Sequence, residues 1–171
     1  MISLGMGVTA SAIIGNEVGA GNQQRAKSYA KACFVFVTCT NVPIIILFFI
    51  FRTELAALYS YDEGVIYLIS ELFIYMTTFN MLDAFQTVLA GICKGIGVQN
   101  WAAVFILISY YVFAMPLGFY LAFYTECSVY GLWIGLMVGG TLSVISLSIL
   151  VSKGKWTPRT LVGKKDDEKD S

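Results

Sequence analysis

Asp83 and Gln86 lie three residues apart within an apolar stretch, residues 65–90, that is long enough to cross a bilayer. A carboxylate inside a membrane is costly unless it faces water or takes up a proton, so an ionisable residue there marks a functional site. Partly withdrawn from water, an aspartate can bind and release a proton as its surroundings change. Gln86, one helical turn further on, shares its face and can hydrogen-bond either that carboxyl or a ligand. The chemistry on offer is the loading and release of a proton by a carboxyl that faces a polar cavity inside the helix bundle; the competing reading is a strut in which Asp83 is permanently bonded to a neighbouring hydroxyl. Glu71 belongs to the same stretch, twelve residues earlier, or about 18 Å along a helix. It falls near the outer interface, where solvated display competes with a cavity-lining role. Ser109, Tyr110 and Tyr111 interrupt a later apolar run. Two phenols near mid-bilayer cannot both reach an interface, so their hydroxyls are expected to find partners inside the bundle, as cavity lining or as structural hydrogen bonds.

These residues require a membrane-embedded scaffold, and the composition supplies one. The chain has 171 residues, 57% of them hydrophobic and 13% charged. The charges are bunched between long uncharged runs, whereas a soluble domain spreads them along amphipathic faces. A helix needs roughly 20 apolar residues to cross the hydrocarbon layer. The pattern predicts an all-α, polytopic transmembrane helix bundle with spans near residues 1–15, 29–51, 65–91, 101–123 and 131–151. Four of these are complete and the first is shortened at its N-terminal side. Residues 152–171 read as a charged, disordered tail.

Sidedness follows from the basic residues. Ten of the eleven fall in alternate segments: Arg25, Lys27 and Lys31, then Lys94, then six from Lys153 onward. Only Arg52 lies in an intervening loop, beside Glu54, Asp62 and Glu63. The positive-inside rule therefore places the C-terminus in the cytoplasm. The lipid bilayer is the first partner; no nucleic-acid partner is expected. Plasma and vacuolar membranes are not distinguishable from these residues.

Other chemistries are disfavoured. There is no histidine, which leaves few general bases at neutral pH, and no Cys-x-x-Cys, so neither an enzyme nor a metal site is expected. The four cysteines, Cys33, Cys39, Cys93 and Cys127, are too scattered for a disulfide framework. An intramembrane aspartyl protease needs two facing aspartates, and only Asp83 is within a span. Gly91, Gly95 and Gly97 around Lys94 do not form a phosphate loop, because no strand precedes them and the G-x-x-x-x-G-K-[S/T] order is absent. With Gln99 they read as a tight cytoplasmic turn. Asn16, Glu17, Gly19 and Gly21 read as a cytoplasmic helix end, with Glu17 paired to Arg25 or Lys27. Gly131, Gly135 and Gly139 repeat at four-residue spacing, a helix-packing signature.

Two stretches carry a family resemblance. Gly15-Asn16-Glu17-Val18-Gly19-Ala20-Gly21-Asn22, then Ala26-Lys27, resembles the end of the eighth helix of the multidrug and toxic compound extrusion (MATE) transporters. Asp83-Ala84-Phe85-Gln86-Thr87-Val88-Leu89-Ala90-Gly91, then Gly95-Ile96-Gly97-Val98-Gln99, resembles the tenth helix and its following turn. Tyr110-Tyr111, Pro116-Leu117 and Gly131-Leu132-Trp133-Ile134-Gly135 agree in order and spacing. The resemblance implies helices eight to twelve of a twelve-helix, two-lobed antiporter. It implies extrusion of organic cations or other small amphiphiles by alternating access, with H+ (or Na+) as coupling ion and no cofactor. Asp83 matches the tenth-helix acid implicated in coupling. The pattern departs at Ile13, where many relatives have Arg, and at Ile106, where many plant relatives have Asn. It also lacks the N-terminal lobe and seventh helix, so transport by this chain alone is doubtful and a non-transporting membrane scaffold is the alternative.

Overall fold

The computed structural model describes residues 2–126, 128–154 and 156. Cys127 and nearly all of the expected tail, residues 155 and 157–171, lie outside the described residues. Among the described residues the fold is entirely helical: α1 (Ile2–Gly19), α2 (Gln23–Ile50), α3 (Arg52–Ala57), α4 (Glu63–Gly95), α5 (Gln99–Leu107), a π-helical segment (Ile108–Ala114), α6 (Met115–Tyr124) and α7 (Ser128–Lys153). Four helical stretches are long and apolar enough to cross a membrane: Gln23–Ile50, Glu63–Gly95, Gln99–Tyr124 and Ser128–Lys153. Large apolar side chains such as Phe36, Phe49, Phe119 and Phe123 remain exposed around them. In a helix whose backbone is satisfied internally, such a surface suits hydrocarbon. The chain is an integral, multi-pass membrane protein.

α4 is the centre of the bundle and touches α1, α2, α3, α5 and α7. One core stripe joins Ala10, Ile14 and Val18 of α1 to Ala26, Ala30, Cys33 and Val37 of α2 and to Ala84, Val88 and Ile92 of α4. The three- and four-residue spacing puts each set on one helix face, and the small side chains let the backbones close in. Gly91 and Gly7 mark the tightest crossing: a Cβ built on Gly91 would overlap the Gly7 carbonyl oxygen. On the other side of the bundle, a Cβ on Gly135 would come within 2.6 Å of the Gly118 Cα, and one on Gly131 within 2.6 Å of the Leu121 carbonyl carbon. The expected packing face of α7 is thus turned to α6.

Two helices at the basic end stop in the same way. Gly21 has φ +79° and Gly97 φ +81°, the left-handed conformation that glycine adopts without a Cβ penalty. After α1, Gly21 N–H donates to Val18 (3.1 Å) and Asn22 N–H to Glu17 (2.9 Å). After α4, Gly97 N–H donates to Lys94 (3.1 Å) and Val98 N–H to Cys93 (2.9 Å). Both are Schellman ends, which satisfy carbonyls that the helix leaves open. The expected turn is corrected accordingly. Gly91 lies inside α4 as a packing glycine and Gly95 is the helix's last residue, against Ile14 and Gly15. Gln99 begins α5, so only Gly97 makes the turn. Likewise Asn16, Glu17 and Gly19 belong to the last turn of α1, and Gly21 breaks it.

The π-helical segment has a local cause. Its wider register is seen where Met115 N–H donates to the Tyr110 carbonyl. The next such bond would need a donor at Pro116, which has none. The proline therefore ends the π register and begins α6 at its first turn. π segments occur frequently at functional sites, and this one holds Ser109, Tyr110 and Tyr111.

Candidate functional site

The structure joins two of the expected site residues directly. Tyr110 Oη donates a 3.0 Å hydrogen bond to Gln86 Oε1, tying the π segment to α4. Both side chains are half-buried. Asp83 lies one turn before Gln86 and is near enough to Tyr110 for the two to interact electrostatically. Its carboxyl is not enclosed. Asp83 is exposed on the side of the bundle, and it makes no hydrogen bond or ion pair with a described residue. The expected polar cavity is therefore not enclosed by the described residues alone: the exposed Asp83 side chain opens on the side of the bundle, with the half-buried Gln86 one turn further on.

Tyr111 also departs from expectation. It is 65% exposed and bonds no described residue; together with Tyr110 it lines an apolar groove of about 690 Å³ between α5, the π segment, α6 and α7. Consecutive residues of a helical turn cannot both face α4, so only Tyr110 finds the interior partner expected of both.

Glu71 belongs to a separate cluster. Tyr67 Oη donates to its Oε1 at 2.8 Å and Tyr130 Oη to its Oε2 at 2.6 Å. Tyr130 also packs on Tyr75, ring centroids 5.6 Å apart. The carboxylate therefore clamps α4 to α7 near the acidic end and lines no cavity with Asp83. Tyr67, four residues before Glu71, was visible as a helical neighbour; Tyr130 carried no sequence signal because its bond spans 59 residues.

At the basic end, Asn16 is exposed. Glu17 does not pair with Arg25 or Lys27; its Oε2 is buried without a hydrogen-bond partner among the described residues. Ser143 on α7 shares that condition and is fully buried. Beside Gln86 runs a groove of about 490 Å³ between α1 and α4, lined by Val8, Ser11, Thr87 and, at its basic end, Lys94. Gln86 thus lines this groove while its carbonyl oxygen is held by Tyr110.

Comparison with known proteins gives this arrangement its context. The MatE family model matches residues 1–120. Protein DETOXIFICATION 9 of Arabidopsis thaliana is 32% identical over 157 residues, covering 92% of this chain and 33% of that protein. The probable multidrug resistance protein NorM of Halalkalibacterium halodurans is 31% identical, covering 86% of this chain and 32% of its own length. Multidrug and toxin extrusion protein 1 of Danio rerio is 33% identical, covering 94% and 27%. The crystal structure of the eukaryotic MATE transporter AtDTX14 superposes with a TM-score of 0.84 at 28% identity, over 91% of this chain and 35% of that one. The chain spans about a third of the length of the relatives it matches. With the family model matching most of its residues and the helical bundle superposing on a solved member, the chain belongs to the MATE family of multidrug and toxin extrusion transporters.

Proposed function

We propose that this chain forms part of a secondary antiporter in which Asp83 carries the coupling proton and the polar face of α4 receives an organic cation or related amphiphile. Protonation of Asp83 weakens cation binding and favours release outside; deprotonation on the cytoplasmic side restores affinity. The observation that carries the reading is an exposed carboxylate, within a membrane-spanning helix, that makes no hydrogen bond or ion pair with a described residue. Intramembrane charges almost always face a bundle interior or a water-filled space. The face bearing Asp83 and Gln86 is accordingly a wall of such a space and not a lipid surface. Its opposing wall comes from a second lobe, in keeping with the greater length of the relatives. Alternating access then consists of one lobe rocking against the other around this face. H+ is favoured over Na+ because one carboxyl is a sufficient proton carrier, whereas Na+ needs several oxygen ligands.

A chimaera supplies the test. This chain replaces the matching third of DETOXIFICATION 9, and dye uptake into liposomes is driven by a pH gradient. Gradient-driven uptake abolished by Asp83→Asn supports the proposal; uptake that follows the pH gradient undiminished in the variant refutes it.

A further inference from the structure

The Tyr110 hydroxyl has one proton to donate and two acceptors one helical turn apart on α4. It bonds Gln86 Oε1 at 3.0 Å. Asp83, three residues earlier on the same face, is close enough for its charge to act on the same phenol and makes no hydrogen bond or ion pair with a described residue. The two acceptors differ in kind. The Gln86 carbonyl is always neutral, whereas the Asp83 carboxyl is charged only after it has lost its proton. A hydrogen bond to an ionised acceptor is roughly twice as strong as one between neutral groups. The bond to Gln86 is therefore the favoured one only while Asp83 is neutral. Of the charged side chains on the helices packed against α4, Glu17, Arg25, Lys27, Lys31 and Lys153 stand at the basic end, and Arg52 and Glu54 of α3 at the opposite end. α5 carries none. The other charge acting on Asp83 is the amino group at the start of the chain.

The element that carries Tyr110 can follow such a change. Tyr110 sits in the π segment, and a π turn is one of the few places where a helix bends sharply. Pro116 fixes the far end of that segment. Its near side rests on α7 over Gly139, where an added Cβ would meet the Ala114 methyl and come within 3.4 Å of the Tyr110 ring. We infer that Tyr110 is a positioning residue that reads the charge of Asp83: its hydroxyl donates to Gln86 while Asp83 is protonated, and to the Asp83 carboxylate once the proton has left. The acceptors are separated by about 4.5 Å of helix. Loss of the proton thus draws the phenol, and with it the π segment, along α4 toward the acidic end. This rests on the reading of Asp83 as the coupling acid and names the part of the chain that senses its state.

The test is a pH titration of the purified full chain in nanodiscs by infrared difference spectroscopy. The protonated-carboxyl stretch that Asp83→Asn removes follows Asp83, and the phenol C–O stretch that Tyr110→Phe removes follows the hydroxyl. Both bands are expected to change with one midpoint. Tyr110→Phe withdraws the stronger bond from the ionised acid and should move the Asp83 midpoint to higher pH by about half to one unit. Gln86→Ala withdraws the competing acceptor, leaves the phenol to the carboxylate and should move the midpoint to lower pH about as far. Tyr111→Phe should leave it in place. The amino group at the chain start is common to all variants and cancels from these differences. Opposite shifts separate a positioning role from loss of packing, which would displace both variants alike. The inference is overturned if the phenol band does not follow the Asp83 titration, if Tyr110→Phe leaves the midpoint unchanged, if Gln86→Ala fails to lower it, or if Tyr111→Phe acts as Tyr110→Phe does. Any of these results with Asp83 still titrating sinks this inference alone. A spectrum in which no carboxyl band assigned to Asp83 titrates sinks the coupling role itself, and this inference with it.

Discussion

Glu71, near the acidic end of α4, receives hydrogen bonds from Tyr67 and Tyr130 on its two carboxylate oxygens, whereas Asp83, about three turns further along, receives none from a described residue. Both acids have a tyrosine within electrostatic reach, yet at Asp83 the phenol of Tyr110 turns to Gln86 instead. On the proposed reading, the difference separates a structural acid from a coupling acid on one helix. An acid whose lone pairs are occupied by two phenols holds two helices together. An acid left open on a membrane-spanning surface depends for its stability on whatever faces it, which is the condition that the proposed coupling role requires.

The largest expected effect breaks the comparison at its centre. In the chimaeric transporter, Asp83→Asn should reduce gradient-driven uptake to background, while Glu71→Gln should retain coupled uptake and lower the melting temperature of the purified protein. Coupling lost in Glu71→Gln and kept in Asp83→Asn would exchange the two assignments.

Next in size is the crossing on which the Asp83 face depends. Gly91→Ala puts a methyl group into the Gly7 carbonyl, a backbone contact that cannot swing aside. The cost is expected to exceed about 1–3 kcal/mol, the range for overpacking a tight core. Gly5→Ala, with nothing within 4 Å of the added methyl, should be neutral or stabilising by about 0.5–1 kcal/mol from helix propensity alone. Thermal unfolding of the two variants in one detergent measures the contrast. Equal melting temperatures would show that α1 and α4 do not cross where described.

How much of this was legible depends on the range of the interaction. The number of long helices followed from apolar run length, because the hydrocarbon thickness fixes the length a span must have. Helix ends were misplaced where glycine has two uses. Gly91 and Gly95 serve close packing and Gly97 the left-handed stop, and composition does not separate these roles. The π segment hid within an even apolar run, with only Pro116 and the Ser109-Tyr110-Tyr111 interruption to hint at it. Asp83 and Gln86 were visible as a pair because they are local. The partner of Gln86, 24 residues away, and the Glu71–Tyr130 clamp are products of tertiary packing.

The tyrosine pair sharpens the comparison further. Tyr110→Phe removes the donor that orients Gln86 and should cost about 1 kcal/mol of stability, a typical net hydrogen bond. Because Gln86 is then free to turn, the chimaera should show a raised KM for dye with gradient dependence intact. Tyr111→Phe, whose hydroxyl bonds no described residue, should change neither quantity. A loss from Tyr111→Phe as large as that from Tyr110→Phe would mean that the hydroxyl facing the α6–α7 groove has a partner in the membrane.

The smallest effect tests whether an untied polar group always signals a task. Ser109 and Ser143 are both buried, but Ser109 Oγ donates to the Phe105 carbonyl at 2.8 Å, while Ser143 Oγ has no partner among the described residues. A buried hydroxyl without a hydrogen bond costs about 1–3 kcal/mol on mutational scales. Ser143→Ala should therefore stabilise the chain slightly, by up to about 1 kcal/mol once the lost packing of the oxygen is counted. Ser109→Ala should be close to neutral or mildly destabilising, since a serine bonded to its own helix adds little to a carbonyl that the backbone can also serve. Ser143 differs from Asp83 in being sealed inside the bundle, where no ligand reaches it. If Ser143→Ala melts earlier than Ser109→Ala, the hydroxyl is satisfied in the membrane-embedded protein. Openness to a facing surface would then cease to distinguish Asp83 from the other unpaired groups of the bundle.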